Sequence, residues 1–311
     1  MSAYLPFAVR VLRVQRLSPT FVRVTVAGES LAGFAGHGFD QRINLLFPPG
    51  GDAGLLPTGP DWVDRWQAVP ADRRPPLRTY TVRAFRPESR ELDLDFVLHG
   101  DVGPASRWAG AARPGDPLTV IGPVAGHPGP VADVAWAPPP GTGRLLLAAD
   151  EAALPAASAI AGTLRPEERA TVVLEVPEPA DAIEFDTPAG VTVIWLARSR
   201  GERLGPVVRD LLTDLVPVPA GMTSSVRSGR PAERVGGSGD GPAVAPDDGD
   251  DDPWDVPEPG AAAGSGGFYA WLAGEAGAVV ALRRHLVGER GVDRRSVAFM
   301  GYWRRGRSQP N

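Results

Sequence analysis

The chain has 311 residues, 43% of them hydrophobic, and a formal net charge of −5, which predicts two domains with substantial cores. It contains no cysteine, which excludes disulfides, cysteine-ligated iron–sulfur clusters and a thiol nucleophile. It also contains no lysine, which excludes Schiff-base chemistry on a lysine side chain.

Metal ligands and targeting signals are also scarce. There are four histidines, and no two have the spacing of a His-Glu-x-x-His motif, so we predict no metal site. The N-terminal residues lack a basic region followed by an apolar run, and no apolar stretch approaches the length of a membrane span. We therefore expect a cytoplasmic protein with no membrane insertion.

The first part of the chain is rich in short, strand-like segments. Alternating apolar and polar residues predict six strands, over residues 7–15, 20–27, 42–47, 78–83, 91–98 and 117–121. Short strands separated by turn residues are typical of a small antiparallel barrel. We predict a six-stranded antiparallel β-barrel domain over residues 1–137.

The fourth of these strands has a pattern suited to ligand binding. It reads Leu-Arg-Thr-Tyr-Thr-Val-Arg over residues 77–83, and alternation places Arg78 and Tyr80 on one face. An aromatic ring beside a guanidinium suits a flat, phosphorylated ligand. An ordinary edge strand with exposed arginine and threonine has the same pattern.

A helix is predicted over residues 104–112, immediately after a glycine. It begins Gly-Pro-Ala-Ser at residues 103–106, and proline is favoured in the first turn of a helix. The free N–H groups and the positive dipole end of such a helix can hold a pyrophosphate. A plain short helix that covers one end of the barrel is the alternative.

From residue 144 onward, short apolar strands alternate with helices. Strands are predicted at 145–148, 171–176, 191–196, 268–272 and 296–300, and helices at 154–164, 204–215 and 276–289. Such alternation is typical of a parallel α/β sheet, in which ligands bind beyond the carboxyl ends of the strands. We predict that residues 138–311 form this second domain.

An acidic segment rich in glycine and proline interrupts the second domain at residues 221–266. It contains Asp-Asp-Gly-Asp-Asp-Asp at 247–252 and a glycine cluster at 236–241. No strand precedes the glycines, so they do not read as a nucleotide-binding loop. Low hydrophobicity with high charge predicts a disordered insert.

Several motifs, in this order, resemble those of the siderophore-interacting proteins, a family of flavin-dependent ferric-siderophore reductases in the ferredoxin-reductase-like superfamily. The resemblance covers nearly the whole chain apart from the insert. The motifs are Arg-Thr-Tyr-Thr at 78–81, Asp-Phe-Val-Leu-His-Gly at 95–100, Gly-Pro-Ala-Ser at 103–106, Pro-Gly-Asp at 114–116, Asp-Glu-Ala-Ala-Leu-Pro at 150–155, Trp-Leu-Ala-Gly-Glu at 271–275 and Gly-Tyr-Trp-Arg at 301–304.

The resemblance implies FAD as the cofactor and NAD(P)H as the electron donor. The flavin would carry the chemistry, so no side chain is predicted to be catalytic. The residues expected to contact FAD are Arg78, Thr79, Tyr80, Thr81, Val97, His99, Gly103, Pro104, Ala105, Ser106 and Trp303.

The resemblance also implies a site for the nicotinamide nucleotide, formed by Asp150, Glu151, Arg198, Gly274 and Glu275. The family has Asp-Glu-Thr where this chain has Asp-Glu-Ala, so any contact from the threonine hydroxyl is lost. Two carboxylates repel a pyrophosphate, so an alternative is that they cap the following helix. Arg198 could take the 2′-phosphate of NADPH or be a surface arginine, which leaves the choice of NADH or NADPH open.

Four arginines are candidates for binding an anionic ferric siderophore: Arg73, Arg74, Arg304 and Arg305. Ordinary surface charge is the alternative for each. We predict a monomeric ferric-siderophore reductase that binds no nucleic acid. A general NAD(P)H:flavin or ferric-chelate reductase, a reductase driven by ferredoxin, and a non-catalytic flavin- or siderophore-binding carrier remain open.

Overall fold

The computed structural model describes residues 2–99, 103–129, 133–216, 254–256 and 267–306. The first part of the chain forms one antiparallel sheet, with the strand order β4-β3-β7-β1-β2-β6-β5. Its strands are β1 (Tyr4–Arg16), β2 (Phe21–Ala27), β3 (Arg42–Leu46), β4 (Leu77–Thr81), β5 (Ala84–Arg86), β6 (Glu91–Val97) and β7 (Pro117–Pro123).

This sheet has seven strands, so the prediction of six was wrong by one. The segment predicted as one strand over 78–83 ends at Thr81, and the missed strand β5 begins at Ala84, after two intervening residues. The backbone changes its hydrogen-bonding partner strand between Val82 and Arg83. The N–H of Val82 donates to the carbonyl of Gln41, whereas the N–H of Arg83 donates to the carbonyl of Asp93 in β6. Because β4 and β5 are the two edge strands, this short connection curls the sheet into a half-barrel.

The apolar core of the half-barrel comes from alternating strand residues, as the sequence pattern predicts. It includes Val24, Leu94, Phe96 and Val120, each with no exposed surface. Two helices accompany the sheet, α1 (Trp62–Ala68) and α2 (Pro104–Ala111). Helix α2 packs Ala105 and Ala109 against the core, which directs its N-terminal turn along the side of the sheet.

The second part of the chain forms a sheet with the strand order β10-β9-β8-β12-β13-β11. Its strands are β8 (Arg144–Asp150), β9 (Ala170–Val176), β10 (Val191–Ala197), β11 (Trp254–Asp255), β12 (Phe268–Glu275) and β13 (Val297–Trp303). Helix α3 (Leu154–Thr163) covers one face, and α4 (Leu204–Leu215) with α5 (Ala276–Arg284) covers the other. Burial on both faces explains the continuous apolar runs in these strands.

The second sheet is mixed, which corrects the prediction of a purely parallel one. β11 runs antiparallel to β13, with Trp254 opposite Met300. Residues 254 and 255 belong to the segment predicted to be disordered, and they form this edge strand. Residues 221–253 and 257–266 lie outside the described residues, so their predicted disorder stays a prediction.

Buried hydrogen bonds join the two parts of the chain. The carboxylate of Asp181 accepts from the hydroxyls of Ser18 and Thr20 at 2.7 and 2.8 Å. Asp40 accepts from the backbone N–H groups of Ala135 and Trp136, in the segment that connects the two sheets. The domain boundary predicted at 137/138 stays a prediction. Within the ranges that the structure describes, no helix combines the length and the apolarity needed to cross a bilayer.

Candidate functional site

Strand β4 carries the aromatic and hydroxyl groups of the predicted flavin motif. The ring of Tyr80 lies against that of Phe96, with 4.5 Å between centroids, and burial raises the pKa of Tyr80 so that the phenol stays neutral. The exposed Thr79 hydroxyl donates to Oδ1 of Asn44 at 2.8 Å. Thr81 is buried at the end of the strand. One edge strand therefore presents a fixed phenol and an accessible hydroxyl.

Arg78 shares this edge strand and is half-buried. Its Nη1 donates to the carbonyl of Leu77 at 2.8 Å, which holds the guanidinium close to the backbone. Burial lowers the pKa of Arg78, because a partly desolvated cation is less stable than a hydrated one. A guanidinium on this strand can bind the phosphate groups of an anionic ligand.

The first turn of α2 lies beside the end of β6. The hydroxyl oxygen of Ser106 accepts from the backbone N–H of His99 at 3.0 Å, which fixes the strand end to the helix start. Gly103 has φ of +96°, and a Cβ there would meet no atom within 4 Å. Space is therefore open beside Gly103 at the start of α2, where the first N–H groups belong to Ala105 and Ser106, and a pyrophosphate fits this arrangement. The imidazole of His99 is exposed.

Val97 has a different environment from the other predicted flavin contacts. Its half-buried side chain packs against a small cluster that includes Phe21 of β2 and Leu154 of α3. It therefore contributes to packing between the first sheet and the second part of the chain.

The carboxyl ends of β8 and β12 form the switch point of the second sheet. β9 and β10 extend to one side of β8, whereas β12 and β13 lie on the other side. Open α/β sheets bind ligands where the strand order reverses in this way. Asp150 ends β8, and Gly274 and Glu275 end β12, so the structure brings these predicted site residues together.

Asp150 is the buried acceptor at this switch point. Its Oδ1 accepts from the N–H of Ala152 at 3.0 Å, and its Oδ2 accepts from the N–H of Glu275 at 2.8 Å and from Nε1 of Trp303 at 2.7 Å. Burial, reinforced by the charge of Glu151, raises the pKa of Asp150 to about 7. Gly274 makes room for the carboxylate, because a Cβ there would lie 2.6 Å from it.

The alternative that Asp150 and Glu151 cap the following helix is wrong. Helix α3 has Ala153 at its N-cap and no side-chain cap, since both carboxylates have other partners. Helix α5 does have a carboxylate cap, in which Oε2 of Glu275 accepts from the N–H of Ala278 at 2.9 Å.

Arg198 lies between two carboxylates at the ends of β8 and β9. It forms paired hydrogen bonds with Glu151 and a further one with Glu175 at 3.3 Å. Burial opposes its charge, but the hydrogen bonds and charges of both carboxylates raise the pKa of Arg198. The sequence analysis missed Glu175, although an acidic residue near the end of an apolar strand could have indicated it.

The four arginines proposed for substrate binding differ in their contacts. The guanidinium of Arg74 donates to the carbonyls of Val69 and Gln67 and lies over the ring of Trp66. Arg73, Arg304 and Arg305 are exposed. Arg74 is therefore held against α1, whereas the other three face solvent.

Tyr302 joins the flavin-motif strand to the second sheet. Its hydroxyl is buried and has no hydrogen-bond partner among the residues that the structure describes. Burial raises the pKa of Tyr302, so the phenol is neutral. Through Trp254, which stacks on Tyr302, the end of β13 lies near Arg42 of β3.

Two residues that the sequence analysis missed support Tyr302. The ring of Trp254 stacks on that of Tyr302 with an interplanar angle of 13°, and the guanidinium of Arg42 lies 4.3 Å from the Trp254 ring centroid. Trp254 lies within an otherwise polar segment, so no periodic pattern indicated its packing.

Across the described ranges, no group of three or more metal-binding side chains is placed to hold an ion.

A curled antiparallel sheet followed by a doubly wound sheet is a fold that this chain shares with a solved ferredoxin reductase. A ferredoxin reductase in carbazole 1,9a-dioxygenase has this fold, with a TM-score of 0.58 at 14% identity over 96% of this chain and 70% of that one. Residues 10–127 match the siderophore-interacting FAD-binding domain, and residues 142–306 match the siderophore-interacting protein family. The chain belongs to the siderophore-interacting protein family, and FAD is confirmed as its cofactor.

Named relatives and a solved structure extend this comparison. The ferric vibriobactin reductase ViuB of Vibrio cholerae is 28% identical over 96% of this chain and 89% of its own. The NADPH-dependent ferric-chelate reductase of Escherichia coli is 44% identical, but over only 36% of this chain and 42% of its own. The siderophore-interacting protein SipS of Aeromonas hydrophila has a TM-score of 0.66 at 29% identity, over 99% and 94% of the two chains.

Proposed function

We propose that this protein is an FAD-dependent reductase of ferric siderophores that takes electrons from NAD(P)H. It acts in the cytoplasm as a monomer. The printed names of ViuB and of the Escherichia coli relative, both ferric reductases, support this reaction class. The Escherichia coli name also supports a nicotinamide donor.

Tyr302, at the end of β13, stacks on Trp254, whose ring centroid lies 4.3 Å from the guanidinium of Arg42. Arg42 lies opposite Thr81 of β4 in the first sheet. This contact carries the proposal, because it joins the predicted flavin strand to the switch point at which a nucleotide would bind. Electron transfer from nucleotide to flavin requires the two sites to be adjacent.

Individual residues have distinct roles in this proposal. Arg78 and the first turn of α2, with Gly103 and Ser106, hold the FAD pyrophosphate, and Tyr80 fixes the adjoining part of the cofactor. Exposed Arg73, Arg304 and Arg305 attract an anionic ferric chelate. The contacts of Arg74 with α1 make it the weakest of the four candidates.

Bound FAD supplies the step between a two-electron donor and a one-electron acceptor. One NAD(P)H delivers a hydride, so two ferric ions are reduced to ferrous ions for each nucleotide oxidised, and one proton is released. Ferric iron prefers hard oxygen ligands, so its reduction weakens the chelate and releases the metal.

An anaerobic absorbance titration of the FAD-loaded protein tests the proposal. NADH or NADPH should bleach the flavin spectrum, and a ferric siderophore should restore it. Equal oxidation by every ferric chelate would indicate a general chelate reductase, and reduction by ferredoxin alone would identify that donor. A spectrum that no donor bleaches would indicate a carrier, and a chain that binds no FAD would overturn the assignment.

Two arginine variants test the cofactor site separately from turnover. Arg78→Ala removes a charged partner of the pyrophosphate and should raise the Kd for FAD at least about tenfold. Arg165→Ala is the matched control, because Arg165 is exposed and pairs with Glu167 and Glu168 in the second part of the chain. Its affinity for FAD should equal that of the wild type.

A further inference from the structure

One carboxylate joins the ends of three neighbouring strands in the second sheet. Asp150 ends β8, and its Oδ2 accepts from the backbone of Glu275 at the end of β12 and from the indole of Trp303 at the end of β13. The register of β12 against β13 shifts between Gly274 and Glu275, where Glu275 comes to lie opposite Trp303. The carboxylate therefore lies at an irregular point of the sheet, where strand pairing alone does not determine the conformation.

One edge of the Trp303 indole is held by a hydrogen bond, while part of the side chain is exposed to solvent. Nε1 lies 2.7 Å from Oδ2 of Asp150, yet the residue is 36% exposed. Among the described residues, only two other large hydrophobic side chains are as exposed, Leu12 and Val14, and both lie on β1. A partly exposed tryptophan at the carboxyl edge of an α/β sheet lies where such sheets bind ligands.

Alternation along β13 places Trp303 on the opposite side from Tyr302. Tyr302 packs with the cluster that includes Met300 and Trp271. It also stacks on Trp254, which contacts Arg42 of the first sheet. Trp303 lies on the side of Asp150 and of the start of α5. Its indole is therefore placed to contact a ligand that approaches the switch point from outside the flavin site.

We propose that Asp150 is a positioning residue that holds the indole of Trp303 as an aromatic wall of the electron-donor site. Trp303, which the sequence analysis expects to contact FAD, contacts the nicotinamide nucleotide in this proposal, and Asp150 acts through it by fixing the plane of the ring. This inference rests on the proposed function, because it requires a nucleotide to bind at the switch point.

Anaerobic stopped-flow reduction of the FAD-loaded protein tests the inference, with whichever nicotinamide nucleotide reduces the wild type. Trp303→Phe removes the hydrogen bond between the indole and Asp150, and Asp150→Ala removes it together with the bonds from Ala152 and Glu275. Each change should raise the half-saturating nucleotide concentration about fivefold. The limiting rate of reduction should stay within about twofold of wild type, since neither side chain transfers electrons. The double variant should be no worse than either single one, because both changes remove the same contact.

Conservative and control variants separate positioning from general stability. Asp150→Asn retains an amide oxygen that can accept from Trp303, so it should restore wild-type half-saturation. Asp181→Asn alters another buried carboxylate, which bonds Ser18 and Thr20 instead, and should leave the nucleotide dependence unchanged. If Asp150→Ala does not fold, the test compares Asp150→Asn with Trp303→Phe. The inference then requires wild-type half-saturation in Asp150→Asn and a raised half-saturating concentration in Trp303→Phe.

Additive effects of Asp150→Ala and Trp303→Phe would overturn the inference, as would failure of Asp150→Asn to restore half-saturation. So would an unchanged half-saturating concentration in Trp303→Phe. Failure of the proposed function looks different, because the wild type would then bind no FAD or resist reduction by both nucleotides.

Discussion

The carboxylate of Asp40 accepts a hydrogen bond from Nε1 of Trp271, 3.0 Å away and 231 residues along the chain. Asp40 precedes β3 of the first sheet, and Trp271 lies within β12, a central strand of the second. Both side chains are fully buried. Their contact fixes the position of the flavin-motif strand relative to the switch point, because β3 pairs directly with β4.

Replacing Asp40 should destabilise the whole protein. Asp40→Ala leaves the indole N–H of Trp271 and two backbone N–H groups buried without acceptors, so the free energy of unfolding should fall by about 3 kcal/mol. Trp271→Phe should lower it by about 2 kcal/mol. Urea unfolding followed by circular dichroism measures both changes.

The matched control is Asp72→Asn, which alters an exposed carboxylate and should change the free energy of unfolding by less than about 0.5 kcal/mol. A loss in Asp40→Ala no larger than that of Asp72→Asn would contradict a structural role for the contact.

The stability of the protein should depend on the protonation of Asp150. Its pKa rises from 3.8 to about 7 on folding, mainly because of burial, so the folded chain binds more protons than the unfolded chain between these pH values. Stability contributed by this group is therefore present at low pH and is lost as pH rises toward 7. The slope should reach at most about 1.4 kcal/mol per pH unit.

Asp150→Asn removes this titration and isolates it from other groups. The free energy of unfolding of the wild type minus that of the variant should fall as pH rises from about 4 to about 7, because only the wild type loses stability from this group. A difference that stays constant with pH would show that Asp150 titrates normally. Urea unfolding at several pH values provides the measurement.

Arg198 should act as part of the fold and not as a ligand for a 2′-phosphate. Arg198→Ala leaves Glu151 and Glu175 facing each other without a cation, so the melting temperature should fall by several degrees. The ratio of the KM values for NADPH and NADH should stay within about twofold of wild type, since neither nucleotide loses a specific partner.

Arg200 provides the matched control for this substitution. It lies two residues further along the chain and is exposed, so Arg200→Ala should leave the melting temperature unchanged. If Arg198→Ala raises the KM for NADPH alone, the 2′-phosphate interpretation of Arg198 is right and the structural one is wrong.

The sequence determined most of the secondary structure because local patterns control it. Alternation in the first sheet and apolar runs in the second identified every described strand except β5 and β11. β5 has only three residues, too few to show an alternating pattern. It also follows β4 after two residues, between which the hydrogen-bonding partner of the chain changes from Gln41 to Asp93. β11 lies in a segment whose composition predicts disorder, and its pairing depends on contacts of Trp254 with Arg42 and Tyr302.

The candidate site was only partly accessible to sequence reasoning. Motif resemblance identified Arg78, Tyr80 and Asp150, but it gave no contacts for them. The partner of Asp150 is 153 residues distant in sequence, and that of Asp40 is 231 residues distant. Such pairs arise from tertiary packing, so neither local propensity nor hydrophobic periodicity can indicate them.

Gly274 should tolerate no side chain while Asp150 is present. It has φ of +145°, which disfavours any residue with a Cβ, and that Cβ would lie 2.6 Å from the carboxylate of Asp150. Gly274→Ala should therefore displace Asp150 from Glu275 and Trp303 and lower the free energy of unfolding by at least about 3 kcal/mol. Gly110→Ala is the matched control, because its Cβ would meet only Leu98 Cδ2 at 4.0 Å, within helix α2.

Gly110→Ala should raise the free energy of unfolding by up to about 1 kcal/mol, since alanine favours helix more than glycine does. The double variant Asp150→Ala/Gly274→Ala separates the two causes of the Gly274→Ala effect. Removing the carboxylate relieves the collision but leaves the backbone strain, so the added cost of Gly274→Ala should fall by about half or more. An unchanged cost in that background would mean that the backbone conformation alone requires glycine, and that Asp150 does not determine the residue at 274.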